Sequence, residues 1–186
     1  MLKRIGGVAL AAALLVIAAT PAAAASTRTD QYEAIVHWVR TDAANGFTWS
    51  GGMALFGDFN GTLGILASEL VSVPHTCPDG SPGSIEGEGR MQHDLTTRIA
   101  PSLNSASAIG TASFDHFWVD SCDGSTSNST TGTQSFELRF TAVGKSSVVR
   151  DGTTRRIIQP ATATLSFGGQ PVTVTSAEIG RVIRRS

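Results

Sequence analysis

The chain has 186 residues, with 14 basic and 15 acidic side chains, 41% hydrophobic residues and two cysteines. From residue 26 onward Ser and Thr number 20 each, a Ser/Thr-rich and helix-poor composition. It excludes an integral membrane protein, a coiled coil, a collagen-like chain and a cysteine-dense mini-scaffold, and it fits a single domain.

Residues 1–25 have the three parts of a secretory signal peptide. Lys3 and Arg4 precede an apolar stretch from Val8 to Ala19, and Pro21 leads into Ala23-Ala24-Ala25. Cleavage after Ala25 leaves residues 26–186 as one secreted β domain. The apolar run is shorter than the roughly 20 residues needed to cross a bilayer, so no membrane span is expected after signal cleavage. The short, Ala-rich signal and the single lysine after it, Lys145, point to a bacterial source and a secreted or cell-envelope-associated protein.

Tyr32–Arg40 suits either a short helix or a strand buried on both faces. Asn60-Gly61 predicts a two-residue hairpin turn that sets Phe56 opposite Ile65 and Ala54 opposite Ala67. On the other face it sets Leu55 opposite Leu66 and Gly57 opposite Gly64. The facing glycines leave a notch, to be filled by an aromatic ring from elsewhere or by a bulge. Gly57, Gly64, Leu55 and Leu66 are also candidates for an apolar slot that holds a small ligand.

Two polar stretches, Pro74–Gln92 and Ser121–Ser135, read as long loops. Each holds one cysteine, and in an oxidising compartment an even cysteine count predicts a disulfide between Cys77 and Cys122. No C-x-x-C is present, and His75 is a weak metal cue by itself, so no metal and no cofactor are expected. Asp58–Gly61 and Asp120–Gly124 each place two oxygen side chains near a glycine without matching a calcium loop.

Leu95, Thr97 and Ile99 alternate with polar residues as in a half-buried strand. Phe114, His116 and Trp118 share one face of the next strand, and Phe117 and Val119 share the other. Should the first face be exposed, Trp118 with Asp115 or Asp120 would form a sugar-stacking platform. Phe136, Leu138, Phe140 and Ala142 alternate with Glu137, Arg139 and Thr141.

Asp151-Gly152 predicts a hairpin from Ser146 to Ile158 with Arg150 diagonal to Arg155 on one face and Arg156 on the other. Gly168-Gly169 predicts a hairpin with Leu165 opposite Val172, Ala163 opposite Val174, and a threonine ladder on the far face. Together these elements indicate an all-β, single-domain antiparallel sandwich or barrel of about eight to ten strands. The sandwich is preferred, because nothing in the sequence reports closure.

The chain has no G-x-S-x-G, H-E-x-x-H or P-loop, and its four histidines are scattered, so no catalytic residue is assigned. Charge is unevenly spread. Ser26–Ser125 carries 4 basic and 12 acidic residues, whereas Thr126–Ser186 carries 8 basic and 3 acidic. Acids of the first half could pair with these bases across strands. Alternatively Arg150 and Arg155 form an anion-binding patch for an anionic cell-envelope polymer. Nucleic acid is not expected as a partner, since the domain is acidic overall and its bases lack interleaved aromatics. The reading is a non-enzymatic exported binding or envelope-associated β domain. The alternatives are a carrier of a small apolar ligand and a secreted hydrolase whose site forms only in three dimensions.

Overall fold

The computed structural model describes residues 28–41, 46–57 and 63–185; the expected signal, its expected cleavage point and the expected Asn60-Gly61 turn lie outside them. The described residues form strands and no helix. In chain order these are β1 (Arg28–Thr41), β2 (Thr48–Gly57), β3 (Leu63–Thr76), β4 (Pro82–Ile99), β5 (Ser105–Asp120), β6 (Thr126–Thr130), β7 (Gln134–Ala142), β8 (Ser147–Asp151), β9 (Thr154–Phe167) and β10 (Gln170–Arg185). Tyr32–Arg40 is therefore strand. Most of Pro74–Gln92 is also strand rather than loop, with the turn confined to the residues around Cys77–Ser81.

All ten strands belong to one antiparallel sheet. Each neighbour in the order β10, β1, β2, β3, β4, β5, β7, β9 pairs with the next, and β9 pairs back onto β10. The circuit closes as a barrel, the second of the two expected architectures, with β6 attached to β5 and β8 to β9 outside the ring. The β3–β4 ladder runs only from Ser68↔Arg90 to Thr76↔Pro82, so the barrel is splayed below that point.

Alternation of side chains sets the interior. Ala34, Val36 and Trp38 of β1, Met53 and Leu55 of β2, Ala106, Ala108, Ala112 and Phe114 of β5, and Phe136, Leu138 and Phe140 of β7 all point inward and are buried. Outward positions carry Glu86, Glu88, Arg90 and Gln92 on β4, Glu137 and Arg139 on β7, and Thr162 and Thr164 on β9. The exterior is mixed, since Phe56, Leu66, Leu70 and Phe117 are also exposed.

The Gly168-Gly169 hairpin forms with Phe167↔Gln170 and Leu165↔Val172, as its turn chemistry predicts. The expected pairing does not continue, because β10 contains an extra residue between Val174 and Ser176, seen in the shift from Trp38↔Val174 to His37↔Ser176. Such a bulge resets the alternation. Val172 and Val174 face inward before it, and Ile179 and Ile183 after it.

At the β2–β3 hairpin the register is one residue away from expectation: Gly57 pairs with Leu63, Phe56 with Gly64, and Leu55 with Ile65. A one-residue slip moves side chains to the opposite face. Leu55 is consequently buried in the barrel while Leu66 is exposed outside, and the two line no common notch. Gly64 is covered by the ring of Phe56, which lies 2.2 Å from where a Cβ would stand. An aromatic ring does fill the space over this glycine, and it comes from the partner strand.

Candidate functional site

The barrel end formed by the start of β1, the end of β10 and the β8–β9 hairpin gathers basic residues. Asp151 pairs with Thr154, so the turn is Gly152-Thr153, one residue later than the sequence suggests. Gly152 has φ +52°, a left-handed conformation that glycine adopts without steric cost. This shift places Arg150 directly opposite Arg155 rather than diagonal to it. Facing residues of an antiparallel pair hold their Cβ atoms about 4.5–5.5 Å apart, and like charges there repel.

The terminal strand runs alongside on the other edge of β9, with Ile183↔Arg155 and Arg184↔Thr154, and β1 adds Arg28↔Arg185. The result is a pocket of about 300 Å³ lined by Arg28, Arg150, Gly152, Thr153, Thr154, Arg155, Ile183 and Arg185. Among the described residues Arg150, Arg155 and Arg185 make no ion pair. None of the acids expected to neutralise them is seen to do so: Glu69 pairs elsewhere, Asp94 makes no ion pair among the described residues, and Asp58 is not described.

Arg28 is tied to Asp30, its Nε 3.0 Å from Oδ1 and its Nη2 3.1 Å from Oδ2, and Arg181 also bonds Asp30 Oδ2. Burial acts to raise the Asp30 carboxyl, but the hydrogen bonds and charges of Arg28 and Arg181 override it and hold the group below the usual carboxylate range. Arg156 points to the opposite face, as expected, and lies 2.6 Å from Glu33 and 3.0 Å from Glu178. Cross-strand neutralisation therefore holds on that face and fails in the pocket.

A second polar cluster lies inside the barrel near its other end, and sequence reasoning missed it. Glu69 is fully buried; Arg40 Nε donates to its Oε2 at 2.8 Å, Arg40 Nη2 to its Oε1, and His116 Nε2 lies 2.9 Å from Oε1. Trp49 stacks on His116 with ring centroids 4.4 Å apart, and the Arg40 guanidinium lies 5.3 Å from the Trp49 ring. Burial would raise the Glu69 carboxyl, yet the His116 and Arg40 hydrogen bonds and charges keep it below its ordinary value. One signal could have exposed this cluster: Arg40, Glu69 and His116 each occupy an inward position, in step with Trp38, Ala67 and Phe114. A charge at a core position of an alternating strand calls for a buried partner.

The remaining space beside Trp38, Arg40, Glu69 and Phe114 amounts to about 10 Å³, too little for an organic ligand. Gly57 and Gly64 do line a groove of about 330 Å³, but it opens on the outer face beside Phe56, Gln31 and Arg184, and neither Leu55 nor Leu66 lines it. Trp118 is not a sugar platform. Its ring meets Trp49 at 5.2 Å and Phe47 at 6.0 Å, and its Nε1 donates to Ser129 Oγ at 3.1 Å, while Phe117 is the exposed aromatic of β5. Among the described residues the histidine side-chain hydrogen bonds run from His116 to Glu69 and from His75 to Cys122.

Cys77 and Cys122 are joined by a disulfide with Cα atoms 5.5 Å apart. It ties the turn after β3 to the turn after β5, across Gly83 of β4, where a Cβ would come within 2.6 Å of both sulfurs.

No protein-family model, no curated protein and no solved structure matches this chain. The fold and these sites therefore stand on their own geometry.

Proposed function

We propose that this chain is an exported, non-enzymatic binding domain whose arginine-lined pocket holds the anionic groups of a cell-envelope polymer. One observation carries this reading. Arg150, Arg155 and Arg185 converge with Arg28 on one pocket, and no carboxylate among the described residues neutralises the first three. Guanidinium forks bind phosphate or carboxylate oxygens through paired N–H donors, and such charge-assisted bonds are about twice as strong as neutral ones. A bridging anion would also relieve the repulsion between the facing Arg150 and Arg155. The packed barrel interior supports this surface-binding reading over a carrier, which needs an enclosed volume of hundreds of Å³.

The test is retention of residues 26–186 on isolated envelopes of the source cell at low and high salt. The wild-type domain is compared with an Arg150→Ser, Arg155→Ser double variant and an Arg98→Ser control outside the pocket. The double variant should lose most of its retention and the control should not. Wild-type binding should weaken as salt rises, since the Debye length is only about 8 Å at physiological ionic strength. Equal retention of the double variant, or indifference to salt, refutes the proposal.

A further inference from the structure

The disulfide stands beside two further metal-ligating side chains at the barrel end opposite the arginine pocket. His75 Nε2 lies 3.0 Å from Cys122 Sγ and 3.4 Å from Asp120 Oδ1. One ligand atom from each of His75, Cys77 and Cys122 falls within 4.8 Å of the others. His75 Nδ1 is buried without a hydrogen-bond partner among the described residues, and Nε2 is the ring nitrogen turned toward the sulfurs and the carboxylate. Asp120 is held in place because its Oδ1 accepts the Cys122 backbone N–H at 2.8 Å.

We propose that Cys77, Cys122, His75 and Asp120 form a latent tetrahedral zinc site, closed by the disulfide and opened by a dithiol reductant. The dithiol supplies two electrons and two protons, the Cys77–Cys122 bond breaks to two thiols, and the reductant leaves as its own disulfide. Zinc then displaces the two thiol protons to the solvent and takes both sulfurs as thiolates. Two thiolates, one imidazole and one carboxylate are a donor set that suits Zn²⁺.

The geometry fits this use. With ordinary Zn–N, Zn–O and Zn–S bonds, the edges of a tetrahedral site are about 3.4 Å between nitrogen and oxygen, about 3.6 Å between nitrogen and sulfur, and about 3.8 Å between sulfurs. The nitrogen–oxygen edge is already present at 3.4 Å, and the nitrogen–sulfur edge at Cys122 is short by roughly half an ångström. Two things must change: the sulfurs must separate, and the Asp120 carboxylate, which lies outside the group formed by His75, Cys77 and Cys122, must close toward them. Each cysteine sits at a hairpin turn, Cys77 closing onto Ser81 and Cys122 lying between Asp120 and Gly124, and both sulfurs pack closely against the backbone of Gly83, which has no side chain to exclude them. Side-chain rotation at these positions leaves the β3–β4 and β4–β5 ladders intact. His75 and Asp120 are each about a quarter exposed, which gives an ion access.

Cobalt(II) is the spectroscopic probe and zinc the competitor, with residues 26–186 reduced by a phosphine that does not bind the metal. Reduced protein should take up one Co²⁺ per chain with thiolate-to-cobalt charge-transfer bands and the intense visible bands of a tetrahedral site, and zinc should displace it. Oxidised protein should give neither signal. His75→Ala should weaken zinc binding at least about tenfold, and Asp120→Asn should alter the visible bands. Circular dichroism follows the fold throughout. If reduction alone unfolds the domain, zinc present during reduction should preserve it. Three results each overturn the proposal: no stoichiometric uptake by reduced protein, unchanged affinity in His75→Ala, or failure of zinc to bind or protect a chain that reduction unfolds.

Discussion

Replacing Arg40 by Met tests what holds the barrel interior together. Glu69 has no exposed surface, and Arg40 supplies two of its hydrogen bonds while His116 supplies the third. Met conserves most of the side-chain length, so the effect reports the lost charge partner rather than a cavity. Removing one member of a buried ion pair leaves the other uncompensated and costs about 3–5 kcal/mol. For a domain of this size each kcal/mol moves the melting temperature by roughly 2–4 °C, so calorimetry at pH 7 should show a fall of about 6–20 °C. The pH dependence carries a definite sign. The Glu69 carboxyl lies below its ordinary value in the folded chain, so the stability it contributes is complete above the unfolded value of about 4.3 and is lost as the pH falls through the folded value. The gap between wild type and Arg40→Met should therefore narrow in acid. The double variant Arg40→Met, Glu69→Leu should recover much of the loss, because apolar replacement of a whole buried pair is often neutral or stabilising. A destabilisation under about 1 kcal/mol at pH 7, or a gap unchanged between pH 7 and pH 3, would refute this account of the cluster.

Gly89 faces the same cluster: a Cβ there would stand 2.7 Å from His116 Cδ2 and 2.8 Å from Glu69 Cγ. Gly89→Ala should lower stability by about 1–3 kcal/mol in urea titration, whereas Gly132→Ala, with open space around it, should change it little. Breaking the Cys77–Cys122 bond frees a loop closed across a sequence separation of 45. The chain-entropy estimate puts this near 4 kcal/mol, to be read as a clear drop in melting temperature on reduction without added metal.

The sequence by itself determined the clearly alternating strands and which way their side chains face, though not Tyr32–Arg40, which it left between helix and strand, nor the strands within Pro74–Gln92 and Ser121–Ser135, which it read as loops. Leu138 and Phe140 must share a side because a strand alternates and burial of one side is the dominant gain. It also determined the Gly168-Gly169 turn and, with only two cysteines, the disulfide partner. Each of these depends on short-range geometry or on counting.

Register was legible only in part. At Asp151-Gly152 the chain has two adjacent choices of turn, and the structure adopts the later one, which brings Arg150 from a diagonal to a facing position. At the β2–β3 hairpin a shift of one residue sent Leu55 inside and Leu66 outside. A turn motif allows neighbouring registers, and the choice falls to the one that buries the better face against the rest of the barrel.

Closure, the arginine pocket and the Arg40–Glu69–His116 cluster were decided by tertiary structure alone. Arg28 meets Arg185 because the first strand pairs with the last, and Glu69 finds Arg40 and His116 from positions 29 and 47 residues away along the chain. Local propensity and periodicity act over a few residues. The energy that joins the first and last strands, and that requires a buried carboxylate to find its cation, arises only when distant segments have already been brought together.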